Sequence, residues 1–185
     1  MNRIEIVKKN IFGKILDVGC SGRDDELHNS INDKHVYGLD IEIRLPKLKK
    51  IKGDAQKMPL KPNSFDTIVA GELIEHLSKP VNFFKESKRV LKSEGIIIIT
   101  TPNKNSLLNK IFKSYFTKSH KYLFDTKTIK SIISKYFTIQ NFICLPYTES
   151  YLLGPKGAYF IWFRRFIHYF LPQSLQENMI ILAKK

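Results

Sequence analysis

Lys14-Ile15-Leu16-Asp17-Val18-Gly19-Cys20-Ser21-Gly22-Arg23 is the stretch on which the reading of this chain turns. Ile15, Leu16 and Val18 form a short apolar run with β-branched members, the composition of a strand covered on both faces. The run then breaks into small residues, Gly19, Cys20, Ser21 and Gly22. A buried strand that ends in such a turn and feeds a helix presents backbone N–H groups at the carboxyl edge of a sheet, where open α/β folds bind nucleotides. Asp17 is out of character in a buried strand, because a carboxylate there demands a hydrogen-bonding or cationic partner.

Working outward, residues 2–12 place Ile4, Ile6, Val7 and Ile11 with the spacing of a short packing helix. After the glycine turn, Asp24 and Asp25 suit a helix N-terminus, Leu27 and Ile31 share one face of that helix, and His28 reads as surface. Val36 to Glu42 reads as a second strand ending in acids. Asp40, some twenty residues past the turn, has the position from which a carboxylate accepts two hydrogen bonds from ribose hydroxyls. Glu42 is the weaker candidate, since the first acid after an apolar run faces the site. A basic stretch, Arg44 to Lys50, leads to a third short strand closing in Gly53-Asp54-Ala55. Phe65 to Gly71 follows as a fourth, after the turn residues Pro62-Asn63-Ser64. Ser78-Lys79-Pro80 opens a helix with Ser78 as its cap and Glu94-Gly95 as its end. Ile96 to Ile99, four isoleucines in a row, suit only a central strand.

At 185 residues the chain is most economically one domain, 1–185, and 43% hydrophobic content excludes global disorder. The net charge of +14 is spread along the whole chain, which describes a solvated basic surface that favours anionic partners: phosphorylated substrates, nucleic acid or an anionic membrane face. Cys20 and Cys144 have no metal-type spacing, so no metal site is expected, and a reduced, cytoplasmic protein fits best. The N-terminal residues are too charged for a signal peptide, and no segment approaches ~18 uninterrupted apolar residues.

The opening stretch resembles the first motif of the class I S-adenosylmethionine-dependent methyltransferases, (Asp/Glu)-x-Gly-x-Gly-x-Gly. Asp17 and Gly19 match it, while Ser21 and Arg23 stand at the second and third glycine positions. Asp54-Ala55 resembles the adenine-reading motif, and Ser64-Phe65-Asp66 the start of the family's fourth strand. Glu72-Leu73-Ile74-Glu75-His76 and Gly95 followed by Thr101-Pro102-Asn103 are similar to segments of small-molecule methyltransferases, including the ubiquinone and menaquinone pathway enzymes. The resemblance implies a Rossmann-like α/β fold with a seven-stranded sheet of order 3-2-1-4-5-7-6, strand 7 antiparallel and helices on both faces. It implies S-adenosylmethionine as cofactor, held by Asp17, Gly19, Cys20, Ser21, Asp40, Ile41, Asp54, Ala55, Met58, Ala70 and Glu72. His76 either takes a proton from an acceptor hydroxyl or caps and packs a short helix.

Beyond residue 103 the resemblance thins. Residues 104–118 alternate lysines with apolar positions at helical spacing, His120 lies in a loop or faces the substrate, and a helix side follows at Ile129, Ile132, Ile133 and Phe137. Thr138 to Leu145 and Met179 to Ala183 read as the last two strands. Between them, residues 148–176 form an insertion whose segment 158–171 is dense in aromatic residues. On a helical wheel Arg164, Arg165 and His168 share a stripe, with Ile161 an exception inside it. Three readings stay open for this helix: core, lid over a hydrophobic substrate, or peripheral membrane contact. With about a dozen residues ahead of the first strand, 104–124 and 148–176 are expected to supply the substrate cover. The expected acceptor is a small, apolar or amphiphilic, lipid-like molecule, with O-methylation the leading chemistry. A nicotinamide dehydrogenase would need Gly-x-Gly-x-x-Gly, but positions 19, 21 and 24 are Gly, Ser and Asp. A nucleic-acid methyltransferase is disfavoured by Ala70-Gly71-Glu72-Leu73 where amino-methylating enzymes carry Asp/Asn-Pro-Pro-aromatic. A methyltransferase-like binding protein without catalysis is the remaining alternative.

Overall fold

The short strands announced by the sequence assemble side by side. β1 (Ile15–Val18), β2 (Val36–Asp40), β3 (Lys49–Lys52), β4 (Phe65–Gly71), β5 (Leu91–Pro102), β6 (Thr138–Leu145) and β7 (Asn178–Lys184) form one sheet of order β3-β2-β1-β4-β5-β7-β6. β3, β2, β1, β4 and β5 run parallel, and β7 lies antiparallel to both β5 and β6. This is the strand order and the antiparallel seventh strand that the sequence implies. The computed structural model describes residues 3–20, 35–42, 49–111, 120–146 and 154–185, with 154–161 by their backbone alone. The expected helix at 24–31, including His28, and the basic loop at 43–48 lie outside the described residues, as do Ser21 and Arg23.

Strand parity sorts the core into two layers. Leu16, Val18, Leu39, Ile68, Ala70, Ile97, Ile99, Met179 and Ile181 point to one face. There they meet Phe83, Phe84 and Val90 of α2 (Pro80–Val90) and Ile129 and Ile133 of α4 (Thr126–Ile133). Ile15, Val36, Val69, Ile98 and Ile180 point to the other, against Ile6 and Val7 of α1 (Arg3–Asn10). The run Ile96–Ile99 is thus divided between the layers, and each fully buried isoleucine contributes about 1.5–3 kcal/mol.

Two local expectations are corrected. Ser78 does not cap α2; its hydroxyl donates to Gln56 Oε1 at 3.0 Å, and Lys79 occupies the cap position without a side-chain bond. The helix also ends earlier than Glu94-Gly95, because Leu91 already pairs with Phe65 as the first residue of β5. Glu94, at φ 65°, turns the chain within the irregular part of that strand.

Asp66 locks the start of the sheet. Its Oδ2 accepts the Lys14 backbone N–H at 2.8 Å, and both carboxylate oxygens lie 2.9 Å from Lys92 Nζ. The bond from Lys14, followed by that from Lys92, holds its carboxyl below the usual carboxylate range. A depressed folded-state pKa contributes stability above the unfolded value, about 3.9, and that contribution fades as pH falls through the folded value. Asp66→Asn is therefore expected to lower Tm by roughly 2–4 °C at neutral pH. Thermal unfolding series should show the two proteins converging as pH falls well below the usual carboxylate range; a constant difference at every pH would contradict this role.

Candidate active site

Two glycines shape the carboxyl edge of the sheet. Gly19 donates its N–H to the Leu39 carbonyl at 2.8 Å, and Gly53 donates to the Asp40 carbonyl at 2.9 Å. The last two carbonyls of β2 therefore each hold the loop that follows a neighbouring strand. Gly19 adopts φ +84°, and a Cβ there would sit 3.0 Å from Leu73 Cδ1. At Gly53 a Cβ would come within 2.5 Å of Pro59 Cδ. Gly53 can take no Cβ without displacing Pro59, and the positive φ of Gly19 favours glycine there.

Between them opens a cleft of about 270 Å³, continuous with solvent and lined by Gly19, Leu39, Asp40, Ile41, Gly53, Ala55, Leu73 and Leu77. Of the sequence candidates, Gly19, Asp40, Ile41 and Ala55 line this cleft. Asp17 is buried within β1, and Cys20 is buried immediately after the turn. Asp54 is exposed beside the cleft, with Oδ1 accepting the Gln56 backbone N–H at 2.8 Å and its Nε2 at 3.2 Å. Gln56 in turn accepts the Lys79 backbone N–H at 2.6 Å, so this carboxylate braces a loop-to-loop contact. Met58 and Ala70 pack into the core and do not line the cleft; the Met58 N–H is bound to Glu86. Leu39, Gly53, Leu73 and Leu77 are lining residues that are not among the site candidates. Leu73 and Leu77 flank the 3₁₀ turn Ile74–His76, and both line the cleft.

Glu72 follows β4 at φ 49°. Its Oε1 accepts the Thr100 hydroxyl at 3.0 Å and lies 3.9 Å from Arg3 Nη1. The 3₁₀ turn Ile74–His76 comes next, flanked by the cleft residues Leu73 and Leu77. Glu75 within it is fully buried, and its Oε2 accepts the Thr101 hydroxyl at 3.0 Å. Burial first, and the neighbouring Glu72 carboxyl second, hold the Glu75 carboxyl well above the usual carboxylate range. The His76 and His120 rings stand edge to face, 4.8 Å apart. His120, left open in the sequence as a loop residue, thus belongs to this cluster.

The same geometry recurs in known proteins. Residues 16–99 match the family model described as a methyltransferase domain. The chain is 35% identical over 118 residues to a ubiquinone biosynthesis O-methyltransferase of Pelagibacter ubique, covering 58% of this chain and 46% of that one. It is 30% identical over 99 residues to a probable S-adenosylmethionine-dependent methyltransferase of Mycolicibacterium smegmatis, covering 49% of this chain and 38% of the other. Residues 16–99 thus resemble the class I S-adenosylmethionine-dependent methyltransferases. The crystal structure of a putative methyltransferase from Bacillus halodurans superposes with a TM-score of 0.71 at 14% identity, over 99% of this chain and 98% of that one, a likeness of fold. The chain spans about half or less of the length of the two curated relatives named.

The cofactor of that family is S-adenosylmethionine, and Asp40 and Ile41 have the chemistry to hold its nucleoside end. Asp40 presents a carboxylate for a vicinal diol, Oδ1 also taking the Glu42 N–H at 3.1 Å. Ile41 is 59% exposed at the cleft, an apolar side chain that a purine face would cover. Gly19→Ala is expected to cost about 1–2 kcal/mol, because it forces a left-handed backbone on a residue with a Cβ. Tm should fall by roughly 2–8 °C. A variant as stable as the parent would contradict the geometry of this turn.

Proposed function

We propose that the protein transfers the methyl group of S-adenosylmethionine to an oxygen of a small, apolar or amphiphilic acceptor. The observation that carries this reading is a cleft lined by Asp40 and Ile41 lying beside the acid and imidazole of Glu75 and His76 on one short segment, Glu72 to Leu77. When bound, the cofactor supplies an electrophilic methyl group on a sulfonium. Asp40 and Ile41 hold its nucleoside end, and the Gly19 turn lets the backbone approach. His76, half-buried beside the cleft segment, accepts the proton of an acceptor hydroxyl. Alignment of acceptor and methyl group is the main contribution of the fold. The ubiquinone biosynthesis relative carries out O-methylation by name, which favours an oxygen nucleophile here.

The whole of 1–185 acts in this reading as one methyltransferase domain, with 104–124 and 148–176 as the acceptor's cover. Within them the structure describes α3 (Leu107–Ile111), the loop 120–124 and α5 (Gly154–Phe170), while 112–119 and 147–153 lie outside the described residues. Over residues 162–170, α5 is built inside out relative to an ordinary amphipathic helix. Arg164 and His168 are buried, whereas Trp162, Phe163, Phe166, Tyr169 and Phe170 are exposed. Arg165, placed with the buried pair on the helical wheel, is exposed. The all-core reading of this helix does not hold. Trp162 stacks on Phe166 at 5.8 Å, and Phe166 meets Phe170 at 5.0 Å, forming an aromatic row on the outer surface. No helix among the described residues is long and apolar enough to cross a membrane. An outward aromatic row on a chain of net charge +14 suits peripheral contact with an anionic bilayer at the cytoplasmic face, where an amphiphilic acceptor would be presented.

The test is incubation of native extract with the protein and methyl-labelled cofactor, followed by separation into lipid, small-molecule, protein and nucleic-acid pools. Label is expected in the lipid or small apolar pool. Label confined to nucleic acid would replace this reading with the basic-surface alternative, and absence of label with cofactor binding intact would favour a non-catalytic binding protein. Trp162→Glu combined with Phe166→Glu should reduce cosedimentation with anionic vesicles at least tenfold; equal cosedimentation would refute the membrane contact.

A further inference from the structure

One residue grips the turn that carries His76 at both ends. The Tyr122 backbone N–H donates to the Glu75 carbonyl at 3.0 Å, and its hydroxyl donates to the Ser78 carbonyl at 3.1 Å. His76 and Leu77 are the two residues between those carbonyls. Lys121 adds a second backbone N–H to the Glu75 carbonyl at 2.8 Å, which occupies both lone pairs of that oxygen. The Tyr122 ring stacks on Phe124 at 6.4 Å yet is 46% exposed. Its hydroxyl bond, rather than burial, therefore fixes where the side chain lies.

The same short segment faces the cleft on its other side. Leu73 and Leu77 line the cleft and bracket the 3₁₀ turn, whose His76 N–H donates to the Leu73 carbonyl at 3.0 Å. Ile74 and Glu75 within the turn are fully buried, and close packing around them makes the turn move as a unit. Opposite the cleft stands the loop 120–124, with the His120 ring 4.8 Å from the His76 ring. Its far end is moored to the chain after β5, where the Lys104 N–H donates to the Phe124 carbonyl at 2.8 Å. Its near end is moored to the turn through Lys121 and Tyr122.

We propose that Tyr122 is a positioning residue for His76 and the strap that couples the cofactor cleft to the loop carrying His120. An occupant packed on Leu73 and Leu77 holds the turn still, and the turn holds the loop through the two Tyr122 bonds. Restricting one end of such a linked set lowers the cost of ordering the other, which is positive coupling between the cleft and the acceptor side. By reciprocity, an acceptor resting on the loop tightens whatever occupies the cleft. The identity of that occupant rests on the methyl-transfer reading; the two-point grip on the turn does not.

The test is amide hydrogen exchange, read by mass spectrometry, on the full chain and on Tyr122→Phe, each with and without S-adenosylmethionine. Calorimetry establishes saturation, and thermal unfolding compares stability. Tyr122→Phe keeps the ring and the backbone N–H and removes only the hydroxyl. In the parent, saturation is expected to slow exchange in peptides covering 120–124 by about 2- to 10-fold, the scale of one hydrogen bond. In Tyr122→Phe that slowing is expected to vanish, while Tm stays within about 3 °C of the parent. A merely structural bond would speed exchange equally in both states and leave the slowing intact, and that result overturns the proposal. So does a parent whose 120–124 exchange is the same with and without the cofactor. Binding without a change in exchange sinks the coupling alone; no binding at roughly hundreds of micromolar sinks the methyl-transfer reading and the coupling together.

Discussion

The end of β2 is the point on which the site depends. Its last two carbonyls, Leu39 and Asp40, each accept one N–H from a glycine in a different loop. In a parallel sheet the strand ends leave backbone groups that must find partners. Here the partners come from the loops after β1 and β3, and the two bonds set the distance between the Gly19 turn, the Asp40 carboxylate and the Gly53 loop. A Cβ at Gly53 would strike Pro59, and at Gly19 the φ of +84° disfavours any residue that carries one. The cleft is thus a consequence of backbone hydrogen bonding and two missing side chains.

A second constraint operates at the other half of the sheet. β7 begins where β5 ends, with Asn178 opposite Pro102, and Glu177 just ahead of it is fully buried. Its carboxylate pairs with Arg164 of α5 and lies 3.5 Å from His168 Nδ1. Arg164 also donates to Asn109 of α3 at 2.9 Å. A buried ion pair of this kind contributes little net stability, but leaving either partner alone costs about 3–5 kcal/mol. It dictates which face of α5 turns inward, and the aromatic residues are left outside. Nearby, Cys144 is pushed up to about 12 by burial, against a smaller opposing pull from Lys130, so its thiol stays protonated and inert at physiological pH.

The sequence made the sheet legible because buried parallel strands are written as apolar runs: β4 and β6 fall at the bounds expected, and the isoleucine run is the central strand. Asp40 was legible from its spacing to the glycine turn. What the sequence concealed follows from tertiary contacts. A helical wheel groups Arg164, Arg165 and His168, but only the position of Glu177 decides that two of them point inward. Ser78 has the chemistry of a helix cap, yet Gln56 competes for its hydroxyl and wins. Asp54 matches a cofactor motif, and its further contact with Gln56 is one that the motif does not record. The Glu75, His76 and His120 cluster depends on a loop folding back to a turn more than forty residues earlier, which no local pattern records.

The central claim is that the cleft at the end of β2 binds S-adenosylmethionine through Asp40. Calorimetric titration of the protein and of Asp40→Ala with S-adenosylmethionine tests it most directly. The expected result is one-site binding in the micromolar range, weakened at least tenfold by the substitution while Tm without ligand is unchanged. Equal affinity in both proteins, or no binding at hundreds of micromolar in the parent, would contradict it.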